Sequence, residues 1–143
     1  MKLKIAMLAA LAVAVCAPGA MAKGRTTYLT FPIADVMTDT ENAQHLEGFK
    51  FTFGASAGKR LTDTHTRSTD PRPFKSDEER CQRAFLNALI RVRQDAVAKG
   101  GTGVANIQTT STESGAPLKS KTEYACIAGG SNARVYLDGD VVQ

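Results

Sequence analysis

Residues 76–100 carry the strongest constraint on how this chain can fold. Ser76 and Glu79 stand in the S-x-x-E spacing. In that pattern the serine hydroxyl accepts from a free N–H of the first helical turn, and the glutamate reaches back to the serine N–H. Asp77, Glu78 and Glu79 place negative charge on the same turn, where the helix dipole favours it. Lys99 and Gly100 supply a cation and a permissive backbone at the far end. Between these signals, Cys81, Ala84, Phe85, Ala88, Leu89, Val92 and Ala96 recur at helical spacing on one face. The pattern predicts a long helix, and its alanines would let it lie close against a sheet.

That helix has a second apolar stripe. Leu86, Ile90 and Val97 are centred about 160° from Cys81, at about 100° per residue. Arg80, Arg83, Asn87, Arg91 and Gln94 run beside it. A helix that packs only on a sheet needs one apolar face. The second stripe is therefore either covered by another part of the chain or is a partner surface made of Leu86, Ile90 and Val97, with Arg83 and Arg91 at its rim.

The rest of the chain reads mainly as strands. Residues 26–33 are β-branched and aromatic, with Pro32 marking an edge or an end. Residues 34–48 are mostly polar and suggest one helical turn. Phe49, Phe51 and Phe53 alternate with polar residues, as on one face of a strand. Residues 60–69 read as an exposed strand rich in threonine, and Pro71-Arg72-Pro73 as an extended connector. Residues 104–110, 121–128 and 133–137 read as further strands. Asp138-Gly139 is a turn signal, with Val141 and Val142 ending the sheet. One long helix among several strands joined by short turns is an α+β domain: a helix on a small, mainly antiparallel sheet.

The N-terminus sets the expected compartment. Lys2 and Lys4 precede an uncharged apolar run from Ile5 to Val15. Pro18 and Gly19 follow, then the small-x-small site Ala20-Met21-Ala22. This is the order of a secretory signal peptide over residues 1–22. The run has about eleven residues, too few to cross a hydrocarbon core of about 30 Å as a helix. Cleavage after Ala22 would leave residues 23–143 as a single periplasmic or secreted domain with no further membrane span. Lipid attachment at Cys16 is the alternative, although Val15 is larger than the residue such a site wants.

Loss of the signal changes the charge and the cysteine count. The whole chain has 18 Lys and Arg against 14 Asp and Glu, and Lys2 and Lys4 leave with the signal. The remaining near-balance, with no basic face interleaved with aromatics, argues against a nucleic-acid partner. Cys81 and Cys126 remain. An even cysteine count in an exported chain favours one structural disulfide. Two unpaired thiols or a redox pair are the other readings, and neither cysteine lies in a C-x-x-C motif.

Catalytic patterns are near misses. Residues 54–60, Gly-Ala-Ser-Ala-Gly-Lys-Arg, have three residues between the glycines and Arg60 where a phosphate loop has Ser or Thr. Residues 101–106, Gly-Thr-Gly-Val-Ala-Asn, follow a helix and open a strand, the reverse of a dinucleotide site. Both read as turns, so no cofactor is expected. His65 lies two residues from Asp63, on one face of a strand. That pair is the candidate centre for a weak metal-binding or hydrolytic role, without the further ligands of a metal set. His45 sits in a polar segment.

From Ser76 onward the chain resembles a family of small exported bacterial proteins. The matching residues are 76–86 (Ser-Asp-Glu-Glu-Arg-Cys-Gln-Arg-Ala-Phe-Leu), 88–90, 103–107 (Gly-Val-Ala-Asn-Ile), 122–126 (Thr-Glu-Tyr-Ala-Cys) and 139–142. Members often carry the label "excinuclease ATPase subunit". This chain has neither a nucleotide site nor the address such an activity needs. More distantly, the cysteine–helix–Ala-Asn–strand–cysteine order is similar to the sensor domain of the outer-membrane lipoprotein that feeds the Rcs envelope-stress relay. That resemblance implies a helix packed on a small sheet and locked by a disulfide. Together these features lead to the expectation of a non-enzymatic periplasmic domain that binds an envelope protein or senses envelope conditions.

Overall fold

The computed structural model describes residues 26–110 and 116–143. The expected signal peptide and Cys16 lie outside the described residues. Helix α3 (Asp77–Ala98) organises the fold. Ser76 caps it with the reciprocal pair foreseen, its Oγ accepting from the Glu79 N–H at 3.1 Å and its N–H donating to Glu79 Oε2 at 3.0 Å. Gly100 follows the helix at φ 82°, the left-handed conformation that glycine adopts without penalty.

Before α3 come β1 (Thr26–Pro32), α1 (Ile33–Met37), α2 (Thr40–Leu46), β2 (Lys50–Phe53) and β3 (Arg60–Asp70). After it come β4 (Gly103–Thr110), β5 (Pro117–Leu118), β6 (Glu123–Gly129) and β7 (Asn132–Val142). The strands form one sheet in the order β1-β6-β7-β4-β2, with β3 also on β7 and β5 on β4. All pairings are antiparallel except β2 with β4. The α+β architecture is as expected.

Strand β7 is the axis of the sheet. One of its edges pairs with β3 along almost its whole length. The other pairs with β6 through Asn132–Arg134 and with β4 through Tyr136–Val142. The expected turn at Asp138-Gly139 is absent, because β7 continues through both residues. Gly139 lies opposite an irregularity in β4, where Asn106 has φ 51°. A Cβ on Gly139 would lie 2.6 Å from Val104 Cγ1. The glycine thus marks a close backbone approach at a bulge, the other meaning of glycine in a strand.

The apolar face read from the sequence is the buried face of α3. Cys81, Ala84, Phe85, Ala88, Leu89, Val92 and Ala96 are all fully buried. They meet Tyr124, Cys126 and Ala128 of β6, Ala133, Val135, Leu137 and Val141 of β7, and Val104 and Ile107 of β4 in one core. The rings of Phe85 and Tyr124 stack with centroids 4.0 Å apart. Cys81 and Cys126 form the disulfide that ties α3 to β6.

Two further expectations need correction. Residues 34–48 hold two short helices rather than one turn. Strand β3 is not simply exposed: Thr64, Ser68 and Asp70 are buried, and Thr64 Oγ1 donates to Asp95 Oδ2 of α3 at 2.6 Å. Its alternate residues face α3, so threonine and serine serve as small core-facing side chains there.

Candidate functional site

The second stripe of α3 is divided between core and surface. Asp39 accepts from the N–H groups of Glu41 and Asn42, each at 3.0 Å, and so starts α2. Ile33 and Val36 of α1 and Leu46 of α2 join the core around Leu86. Leu86 is only 1% exposed, so it is a core residue and not part of a partner surface. The cover is short. Seven residues of α2 span about 10 Å, whereas the 22 of α3 span about 33 Å at 1.5 Å per residue.

Where α2 ends, the stripe opens. Ile90 is half-buried and Val97 is 58% exposed. They line an open cleft of about 410 Å³ with His45, Arg93 and Gln94. Arg93 fixes one wall: its Nη1 donates to the His45 carbonyl at 2.7 Å, and its guanidinium lies 5.8 Å from the centre of the Phe49 ring. The sequence reading missed Arg93, because only the tertiary placement of α2 brings it to the rim.

The two arginines expected at the rim have different positions. Arg83 is exposed and lines a more polar cleft of about 210 Å³ at the other end of the α2–α3 seam, with Asp39, Glu41, Arg72 and Glu79. Arg91 turns toward the sheet and donates to the Arg67 carbonyl of β3 at 2.6 Å. It therefore belongs to the α3–β3 contact rather than to the surface around Val97.

The β3–α3 connection presents an aromatic that the sequence reading passed over. Phe74 is fully exposed and has φ 62°, a conformation unusual for a bulky residue. The loop before it is pinned. Asp70, 2% exposed, accepts from the Arg72 backbone N–H at 3.0 Å and from Arg72 Nε at 2.7 Å. Arg72 Nη2 completes the ion pair at 2.6 Å. Burial alone would raise the Asp70 carboxyl. The hydrogen bonds and charge of Arg72, with the charge of Arg83, outweigh it and hold the group below the ordinary carboxylate range.

His65 and Asp63 share the outer face of β3, as their spacing implied, and both are exposed. Their partners across the sheet are Asp138 and Asp140. Among the described residues, no group of three or more His, Cys, Asp or Glu is placed to hold a metal ion. The Asp63 carboxyl is held low, first by its own backbone N–H and then by the Thr62 hydroxyl, which makes it a weaker base than a free carboxylate. Arg67 covers the nearby Tyr136 ring at 5.8 Å.

Residues 54–58 lie between β2 and β3, and the first two of them bond to β4 through the backbone. The Gly54 N–H donates to the Ile107 carbonyl at 3.0 Å, and the Ala55 carbonyl accepts from Asn106 at 2.7 Å. Residues 101–103 turn the chain from α3 into β4. No described helix is long and apolar enough to cross a membrane. In comparisons with known proteins, the chain matches no family model, no curated protein and no solved structure.

Proposed function

We propose that this chain is an exported, disulfide-locked binding domain without enzymatic activity, which engages a protein of the cell envelope through the C-terminal half of α3. The observation that carries the reading is the apolar stripe left open beyond α2, with Val97 exposed and half-buried Ile90 lining the same cleft. Apolar side chains rimmed by polar ones are the usual anatomy of a contact patch. The N-terminal signal pattern supports an envelope address, and the disulfide suits an oxidising compartment. The resemblance to small exported proteins and to an envelope-stress sensor points the same way.

The test is site-specific photo-crosslinking in intact cells. A photoreactive residue at Val97 should give a discrete adduct with one envelope protein, and Ile90→Asp should reduce it several-fold. The same residue at Asp138, on the outer sheet face, should give none. Equal labelling from both positions would overturn the proposal.

A further inference from the structure

The edges of the sheet are protected unequally. An unpaired strand edge presents N–H and C=O groups that can template another strand, and natural proteins usually block it. Strand β3 is an edge whose Arg67 and Asp63 carbonyls take donors from Arg91 and Lys99 of α3, at 2.6 Å and 3.0 Å. Strand β2 has four residues and begins on a lysine. Strand β1 has seven residues, Thr-Thr-Tyr-Leu-Thr-Phe-Pro, with no charge. It pairs with β6 in unbroken register from Thr26–Gly129 to Pro32–Glu123. Among the described residues, no strand lies on its other side.

The groups that face this open edge can be identified. In an antiparallel pair, directly opposed residues alternate between bonded and non-bonded positions. The register places Ile33 opposite Thr122, and the Ile33 N–H donates to the Thr122 carbonyl at 2.8 Å. Thr27, Leu29 and Phe31 share that parity, so they bond β6. Thr26, Tyr28 and Thr30 therefore turn their N–H and C=O groups to the open edge. Pro32 falls on the same parity, which is where a strand tolerates a missing N–H.

We infer that β1 is a self-association edge, which takes the β1 strand of a second copy in antiparallel register about a two-fold axis at Leu29. In that register Tyr28 of each copy exchanges both backbone bonds with Thr30 of the other. Thr26 meets Pro32, which has no N–H and whose carbonyl opens α1 as its N-cap, so the backbone bonding ends there. About four backbone hydrogen bonds would form. The bonds come from Tyr28 and Thr30 of each copy, and the proline without a donor falls where the pairing ends. The two Leu29 side chains meet across the axis. Tyr28, 53% exposed, gains the neighbouring Thr30 as cover. β1 itself carries no charge to set against the same strand of a second copy. The contact is small beside the roughly 1,200–2,000 Å² of a stable interface, so the dimer should be in rapid exchange with monomer.

Sedimentation velocity on the purified, disulfide-bonded protein tests this inference. From about 1 to 500 µM, the weight-average sedimentation coefficient should rise from the monomer value toward that of a dimer. Thr30→Pro removes an edge-facing N–H and should stay monomeric with an unchanged thermal midpoint. If that variant does not fold, Tyr28→Lys at an exposed position decides, and should also abolish the rise. A wild-type protein that remains monomeric throughout overturns the inference, as does association that neither substitution affects. Binding of an unrelated extended peptide by a strictly monomeric protein would also overturn it. The α3 surface takes no part, so this test is separate from the crosslinking experiment.

Discussion

At the residue scale, the buried Asp70 carboxylate sets a pH dependence. Its pKa in the folded state lies below the ordinary value of about 3.9. Its stabilising contribution is therefore complete above about pH 4 and is lost as pH falls through the folded-state value. Arg72→Ala would leave the carboxylate with the Arg72 backbone N–H alone. We expect a loss of about 1–2 kcal/mol at pH 7, discounted for the half-exposed guanidinium. Denaturant midpoints should show the gap closing below about pH 4; a gap independent of pH would place the effect elsewhere. Tyr124 is a contrasting case. Its ring stacks on Phe85, but its buried hydroxyl has no hydrogen-bond partner among the described residues. Burial, aided by the charges of Asp35 and Glu78, keeps the phenol neutral well above the usual range. Tyr124→Phe should therefore be neutral or stabilising by up to about 1 kcal/mol in thermal melts, and a larger loss would show that the hydroxyl is bonded.

At the element scale, α3 and β6 are joined by one covalent link. Cys81 and Cys126 are 45 residues apart, and the chain-entropy model gives about 4 kcal/mol for closing such a loop. Reduction, or a double change to alanine, should lower the free energy of unfolding by about 2–4 kcal/mol in urea titrations. A loss below about 1 kcal/mol would mean that the link is incidental. This element was legible in the sequence because each of its signals is local: the capping pair, the 3.6-residue spacing and the terminal glycine. Helices α1 and α2 were not. They have five and seven residues, too short to be stable without the contacts that Leu46 and Val36 make with the core. The same dependence on tertiary contact hid the burial of Leu86 and the wall that Arg93 builds. At Asp138-Gly139 a local rule misled, since Asp-Gly marks a hairpin only where no bulge needs the glycine.

At the scale of the whole molecule, the candidate surface was half legible. The second stripe was visible, but its division at the end of α2 depends on how far a seven-residue helix reaches. The open edge of β1 was foreshadowed by Pro32, yet only the strand order shows that nothing described pairs there. The two surface tests address opposite sides of this arrangement, the back of α3 and the rim of the sheet, and either can succeed without the other. One consequence of the central position of β7 concerns the order of events. Last in chain order, this strand supplies the pairing for β3, β4 and part of β6. While residues 132–142 are still being synthesised, β3 has no neighbour among the described strands and the core has only part of its floor. The sheet is thus kept from closing until β7 is available, because its pairings are long-range. On the export route proposed above, such a delay would keep the chain unfolded in transit and would defer folding, and the α3–β6 crosslink, to the far side.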